Sequence, residues 1–222
     1  ARENGAFFRY DTTVGNSMPV LESIAGGANC SDSIESIEAV ISCTMNYIIT
    51  GYDGRRSDSL AAILRKAQNE GLTEKDPRVD LGGKDVLRKL LILAREASVP
   101  LEESDVHIEP MLGREFFDCD IDTFYRLLAE YEPVFERRED ELDAIGKRQR
   151  FVASLHRDPS ARLGYRAEIK MRLVDIDSPF YHISGTENVI VIASEYSSPL
   201  VIKGAGEGTR LAATGIIRDI LL

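Results

Sequence analysis

The sequence predicts an α+β fold: a mixed β-sheet with helices packed on one face. Two observations carry this. Up to Lys147 the apolar residues recur mostly at helical spacing, and from Arg150 the period becomes that of strands. The strand-like part is cut by Asp158-Pro159, Ser178-Pro179, Gly185 and Ser198-Pro199 into short runs, and three or more such runs form a sheet that helices cover.

The elements follow in order. Phe7–Asp11 reads as a short strand. Thr12–Pro19 is a loop into a helix, with Ser17 as cap, Pro19 in the first turn and Gly26-Gly27 as the stop. Ile34–Ser42 is β-rich. A helix starts at Cys43, where Thr44 serves as an N-cap, a substrate contact, or both, because a helix start presents free amides to a carboxylate. Cys43 reads as a small buried residue and not a nucleophile, since no base is placed beside it. Asp53-Gly54 is a turn. Ser57 caps an amphipathic helix carrying Leu60, Ile63, Leu64 and Ala67, which Gly71 closes. Val106 and Ile108 alternate in a connector after Pro100. Asp120–Lys147 is one long helix or one broken at Pro133, and its mixed charge run Glu136–Glu141 is a solvated face. Arg150–Leu155, Tyr165–Val174, Val189–Ser194 and Leu200–Ile202 are strands. A loop with Gly204, Gly206 and Gly208 then opens a helix over Arg210–Leu222. Such a loop cradles phosphate or simply turns the chain, and Glu207 would repel a phosphate.

The composition sets limits. The 222 residues allow one large domain or one and a half small ones, and 43% hydrophobic with 29% charged residues is ordinary for a soluble globular chain. A net charge of −10 argues against a nucleic-acid partner, and no apolar run reaches the length of a membrane span. Ala1–Gly5 carries neither an initiator Met nor a signal-peptide core, so the chain reads as a fragment. Cys30, Cys43 and Cys119 are few and odd in number, which fits a reducing, cytoplasmic location. His107, His156 and His182 are scattered, with no zinc-ligand spacing.

The stretch that carries chemistry is Gly71 to Ala94. Asp76-Pro77 redirects the chain, and Gly82-Gly83 is a second break. From Lys84 a helix places Val86, Leu90, Leu93 and Ala97 on one line. Asp85 and Lys89 share a face at the margin of that stripe. An ammonium there would polarise or protonate a carbonyl oxygen, and the carboxylates would hold an amine. A solvated surface pair is the plain alternative.

The run Thr73-Glu74, Asp76-Pro77, Asp80, Gly83, Asp85, Lys89 closely resembles the substrate-binding signature of homoserine dehydrogenase. The resemblance implies interconversion of L-aspartate 4-semialdehyde and L-homoserine with NADP or NAD, in threonine and methionine biosynthesis. It implies that Lys89 is the acid/base, that Asp85 orients it or the substrate amine, and that Glu74 and Asp80 bind the substrate ammonium. Cys43-Thr44 matches the family's Gly-Thr substrate contact, with Cys43 in place of glycine. Asp11, Val14 and Asn16 match a loop that holds a monovalent cation such as Na+, with Asn16-Ser17 where Ala-Gly is usual. Leu72 stands where tyrosine is common. Gly204, Gly206 and Gly208 match a loop that lies near the cofactor, with Glu207 in place of a small residue. Ser178-Pro179-Phe180, Asn188–Ile192 and Ser198-Pro199-Leu200 are further landmarks.

The resemblance also implies an organisation. Residues 1–203 would be the substrate-binding and dimerisation domain, of the homoserine dehydrogenase catalytic type, whose sheet makes a homodimer. Residues 204–222 would return to a Rossmann domain that this chain lacks, which is where NAD and NADP are told apart. The opening and the ending resemble most the C-terminal part of bifunctional aspartokinase–homoserine dehydrogenases. Two other readings stay open: the substrate domain of another two-domain dehydrogenase, and a non-catalytic dimerisation module.

Overall fold

The computed structural model describes residue 5 and residues 8–29, 32–52 and 58–221. Its centre is a six-stranded sheet: β1 (Ile34–Val40), β2 (Val106–Ile108), β3 (Arg148–Arg157), β4 (Tyr165–Val174), β5 (Glu187–Ser194) and β6 (Leu200–Ala205), in the spatial order β2-β4-β3-β1-β5-β6. All neighbours are antiparallel except β2 and β4, so the sheet is mixed, as predicted.

Side-chain alternation sorts the two faces. Ile37, Ala39, Phe151, Ala153, Leu155, Ile169, Ile190 and Ile192 point into a core shared with the helices. The helices around that core are α1 (Val20–Asn29), α2 (Cys43–Tyr52), α3 (Leu60–Asn69), the short α4 (Arg78–Leu81), α5 (Lys84–Glu96) and α6 (Ile121–Ala144); α7 (Thr209–Leu221) lies against the Asp11–Thr13 turn. On the other face Val40, Val152, Val174 and Val189 form a smaller cluster with Phe180 and Ile183, from the segment between β4 and β5. The guanidinium of Arg150, 1% exposed, pins that segment by donating to the carbonyls of Phe180 and Tyr181 at 3.0 and 2.8 Å.

Several expectations need correction or extension. No strand forms over residues 8–10, and Phe7 lies outside the described residues. Asp11–Thr13 is a 3₁₀ turn instead, because its partner is a helix: the Asp11 amide donates to Asp219 on α7. Helix α1 runs through Gly26-Gly27 to Asn29, since Val20, Leu21 and Ile24 bury its inner face and outweigh about 1 kcal/mol of helix propensity per glycine. The Asp53-Gly54 turn and the Ser57 cap lie outside the described residues; Ser59 caps α3, its hydroxyl accepting from the Ala62 amide. The alternating pair Val106 and Ile108 becomes the edge strand β2.

Pro133 neither ends α6 nor divides it. Proline inside a helix costs about 3 kcal/mol, and contacts on both sides hold this one. Phe116 packs against Phe124 before the proline, at 6.4 Å between ring centroids, and against Tyr131 and Phe135 around it, at 5.1 and 6.4 Å. Glu132 accepts from the Tyr52 hydroxyl at 2.9 Å and from the first amide of α3, Leu60, at 3.1 Å.

Candidate active site

Helix α5 forms where the sequence places it. Gly83 precedes it in the left-handed region, at φ 75°, and comes so close to the Phe151 ring that a Cβ there would lie 3.1 Å from it. Val86, Leu87, Leu90, Leu91, Leu93 and Ala94 bury one face, which leaves Asp85 and Lys89 at the rim. The Lys89 ammonium lies 2.8 Å from the Asp85 carboxylate and donates to the Ile41 carbonyl, also at 2.8 Å. The Lys89 side chain is 19% exposed and that of Asp85 53%, so the pair straddles the surface with the lysine as its covered end. Ile41 directly follows β1 and precedes α2, so the lysine is tied to the exit of a central strand.

Lys89 opens into a cavity of about 340 Å³. One wall is the loop at Thr12, Thr13, Gly15 and Asn16; the other is Gly206–Thr209 with Ala212 of α7. Gly206 in that wall and Gly204 just before it on β6 have close neighbours. A Cβ on Gly204 would meet Met18 Sδ at 2.8 Å, and one on Gly206 would meet the Asn188 carboxamide at 2.5 Å. Gly206 lies directly on the buried Asn188 carboxamide, which explains it without a ligand, while Gly204 meets only the flexible end of the partly buried Met18. The Asn16 carboxamide donates to the Gly208 carbonyl at 3.5 Å and bridges the two walls.

The acidic loop that precedes α5 is folded on itself. Asp76 receives both the amide and the guanidinium of Arg78, and Asp80 accepts from the Glu74 amide at 2.9 Å. Burial raises the Asp80 carboxyl above its ordinary range, and the charges of Glu74 and Asp85 add to this. Those three carboxylates therefore share one neighbourhood. Thr44 stands at the start of α2 and donates to the Leu72 carbonyl, which joins α2 to the acidic loop. Cys43 reaches Asn188, its thiol 3.7 Å from the carboxamide oxygen. Burial pushes that thiol up to about 11; Lys89 pulls it down, while Glu207 and Asp85 push it further up.

The structure thus brings Lys89, Asp85, Asp80, Glu74, Cys43, Thr44 and the glycine loop together. The side chains of Asp11, Val14 and Asn16 are each engaged within the chain. Asp11 is paired with Arg218 at 2.9 Å, the Val14 side chain is wholly buried in the core, and the Asn16 side chain is turned to Gly208. Among the described residues no cluster of His, Cys, Asp and Glu suits a metal ion. Asn188, 1% exposed beneath the glycine loop and beside Cys43, was not singled out from sequence, although it opens a recognised landmark. A larger cavity of about 540 Å³, bordered by Tyr47, Lys66, Arg148 and His182, contains none of the predicted site residues.

A largely buried lysine is held between a carboxylate and a carbonyl and faces a cavity under a glycine loop, an arrangement of the kind that acid–base enzymes use. Comparison with known proteins agrees. The model of the family described as Homoserine dehydrogenase matches residues 19–221, and the chain belongs to that family. A bifunctional aspartokinase/homoserine dehydrogenase of Haemophilus influenzae is 34% identical over 219 residues, covering 96% of this chain and 26% of that protein. The putative homoserine dehydrogenase of Archaeoglobus fulgidus superposes with a TM-score of 0.77 at 25% identity, covering 99% of this chain and 59% of that one. A hyperthermophilic archaeal homoserine dehydrogenase, solved in complex with NADPH, shares the fold with a TM-score of 0.72 at 23% identity, covering 100% and 56%. The chain spans about a quarter of the length of the curated relatives it matches.

Proposed function

We propose that this chain is the substrate-binding and catalytic domain of an NAD(P)-dependent homoserine dehydrogenase, which interconverts L-aspartate 4-semialdehyde and L-homoserine in threonine and methionine biosynthesis. The observation that carries the reading is Lys89, fixed by Asp85 and the Ile41 carbonyl at the mouth of the glycine-roofed cavity. A nicotinamide cofactor supplies the hydride when bound. In the reducing direction Lys89 gives a proton to the aldehyde oxygen as it becomes an alkoxide, which completes the alcohol. Asp85 keeps the ammonium aimed at that oxygen. Glu74 and Asp80 take the substrate ammonium, and the Cys43–Thr44 start of α2 takes its carboxylate.

Gly204, Gly206 and Gly208 would lie against the cofactor. Glu207, on the cavity wall, suits its phosphate-free nicotinamide end and turns its phosphates elsewhere. Residues 1–203 act as the substrate and dimer-forming unit and 204–222 as the return to the nucleotide. The helix-free sheet face is the proposed homodimer surface, and the location is cytoplasmic. Among the described residues no helix is long and apolar enough to cross a membrane.

The test is homoserine-dependent reduction of NADP, and separately of NAD, by the full-length protein that carries this chain. Lys89→Ala should lower turnover by about 100- to 10,000-fold with folding intact. Unchanged turnover removes Lys89 from the chemistry, and no activity in the unmutated protein overturns the reading in favour of a dimerisation module.

A further inference from the structure

The carboxylate of Asp11 already has a cation, and the chain itself provides it. Arg218, near the end of α7, places Nη2 2.9 Å from Asp11 Oδ2, and its Nη1 donates to the Ser17 carbonyl at 3.4 Å. The two side chains are 30% and 20% exposed. Adjacent contacts close the same seam. The Asp11 amide donates to Asp219 at 3.3 Å, and a Cβ on Gly215 would lie 2.3 Å from Thr12 Cγ2 and 3.6 Å from Ser17 Cα. Helix α7 therefore lies directly on the 11–17 loop, with the guanidinium at the loop's acid.

We propose that Arg218 is the resident cation of this loop. Its fixed charge joins the Asp11 carboxylate to the Ser17 carbonyl, replaces a monovalent metal ion there, and positions the glycine loop of α7 over Lys89. A metal ion at Asp11 would face the guanidinium as a like charge. The buried atom there without a partner among the described residues is a donor, Arg218 Nε, which no cation satisfies. The partnerless acceptor of the loop, Asn16 Oδ1, belongs to a carboxamide turned to Gly208, at the opposite end of α7 from Arg218. Arg218 acts here as a positioning residue, since it reaches substrate only through the helix it anchors.

The experiment compares thermal unfolding of the chain in sodium, potassium and N-methylglucamine chlorides at equal ionic strength, together with ²³Na line broadening. Neither readout needs turnover, so it stands or falls apart from the dehydrogenase reading. The unmutated chain should melt at one temperature in all three salts, with no saturable broadening. Arg218→Ala should melt about 2–4 °C lower, and Arg218→Lys, which keeps the charge, should recover part of that loss. A saturable dependence on sodium or potassium in the unmutated chain would overturn the proposal. So would an Arg218→Ala variant that melts with the unmutated chain. Should Arg218→Ala fail to fold, the salt comparison on the unmutated chain and Arg218→Lys decides the matter by the same criteria.

Discussion

At Cys43 burial outweighs the neighbouring ammonium. Its thiol, pushed up to about 11 by desolvation, keeps its proton at neutral pH even with Lys89 nearby. At pH 8 only about a thousandth of it is thiolate. Iodoacetamide labelling, followed by peptide mass mapping, should therefore be slow at Cys43 at pH 8 and accelerate about tenfold per pH unit toward 11. Rapid labelling at pH 8 would show the site to be open or electropositive. Lys89 illustrates the reverse balance. Its carboxylate and carbonyl partners offset the cost of covering an ammonium, which is why the residue that carries the proposed chemistry can sit at the rim of an apolar helix. The spacing of Asp85 and Lys89 was legible in the sequence because a helix imposes it. The Ile41 carbonyl was not, because a strand exit 48 positions away supplies it.

Among the elements, the glycine loop and α6 were read differently well. Three glycines before a helix signal a turn from sequence alone. What they accommodate is decided by Asn188 and Met18, which sit below the loop. Gly206→Ala should cost about 1–3 kcal/mol, because the added carbon meets a carboxamide that is 1% exposed. Urea unfolding would measure it. The loss should shrink in the double variant with Asn188→Ala, so a cycle without coupling would place the strain elsewhere. For α6 the sequence offered a proline and no way to weigh it. The aromatic group around Phe116 and the Glu132 bonds to Tyr52 and α3 come from other elements, and they make the helix continuous.

For the whole molecule, the helix-free face of the sheet carries the electrostatics that respond to acid. Glu38 on β1 meets His156 Nε2 at 3.2 Å on β3 and pairs with Arg172 on β4. The hydrogen bond from His156, and then that from Arg172, pull its carboxyl down to about 2. A carboxylate held below its unfolded value stabilises the fold above about pH 4.5, and the contribution is lost as pH falls from there toward about 2. With screening at a partly exposed group it is worth about 1–2 kcal/mol. Urea unfolding of the chain and of Glu38→Gln should differ by that much at pH 7 and nearly converge at pH 2. An equal gap at both pH values would assign the effect to packing. His156, Arg172 and Glu38 lie far apart in sequence, and only the register of β3 and β4 beside β1 brings them to one place.

The sequence by itself determined the family, the α+β class, most helices and strands, and the acidic run that leads to Lys89. These rest on local periodicity, turn chemistry and fixed spacing within one stretch of chain, which need no tertiary contact to be read. The tertiary structure decided what long-range contacts alone can settle. It left residues 8–10 without a strand and Asp11 in a turn, carried α1 through its glycines, kept α6 whole at Pro133, and set Asn188 beneath the glycine loop. It also gave the Asp11 carboxylate to Arg218, 207 positions along the chain, because a charge takes the partner that packing brings to it.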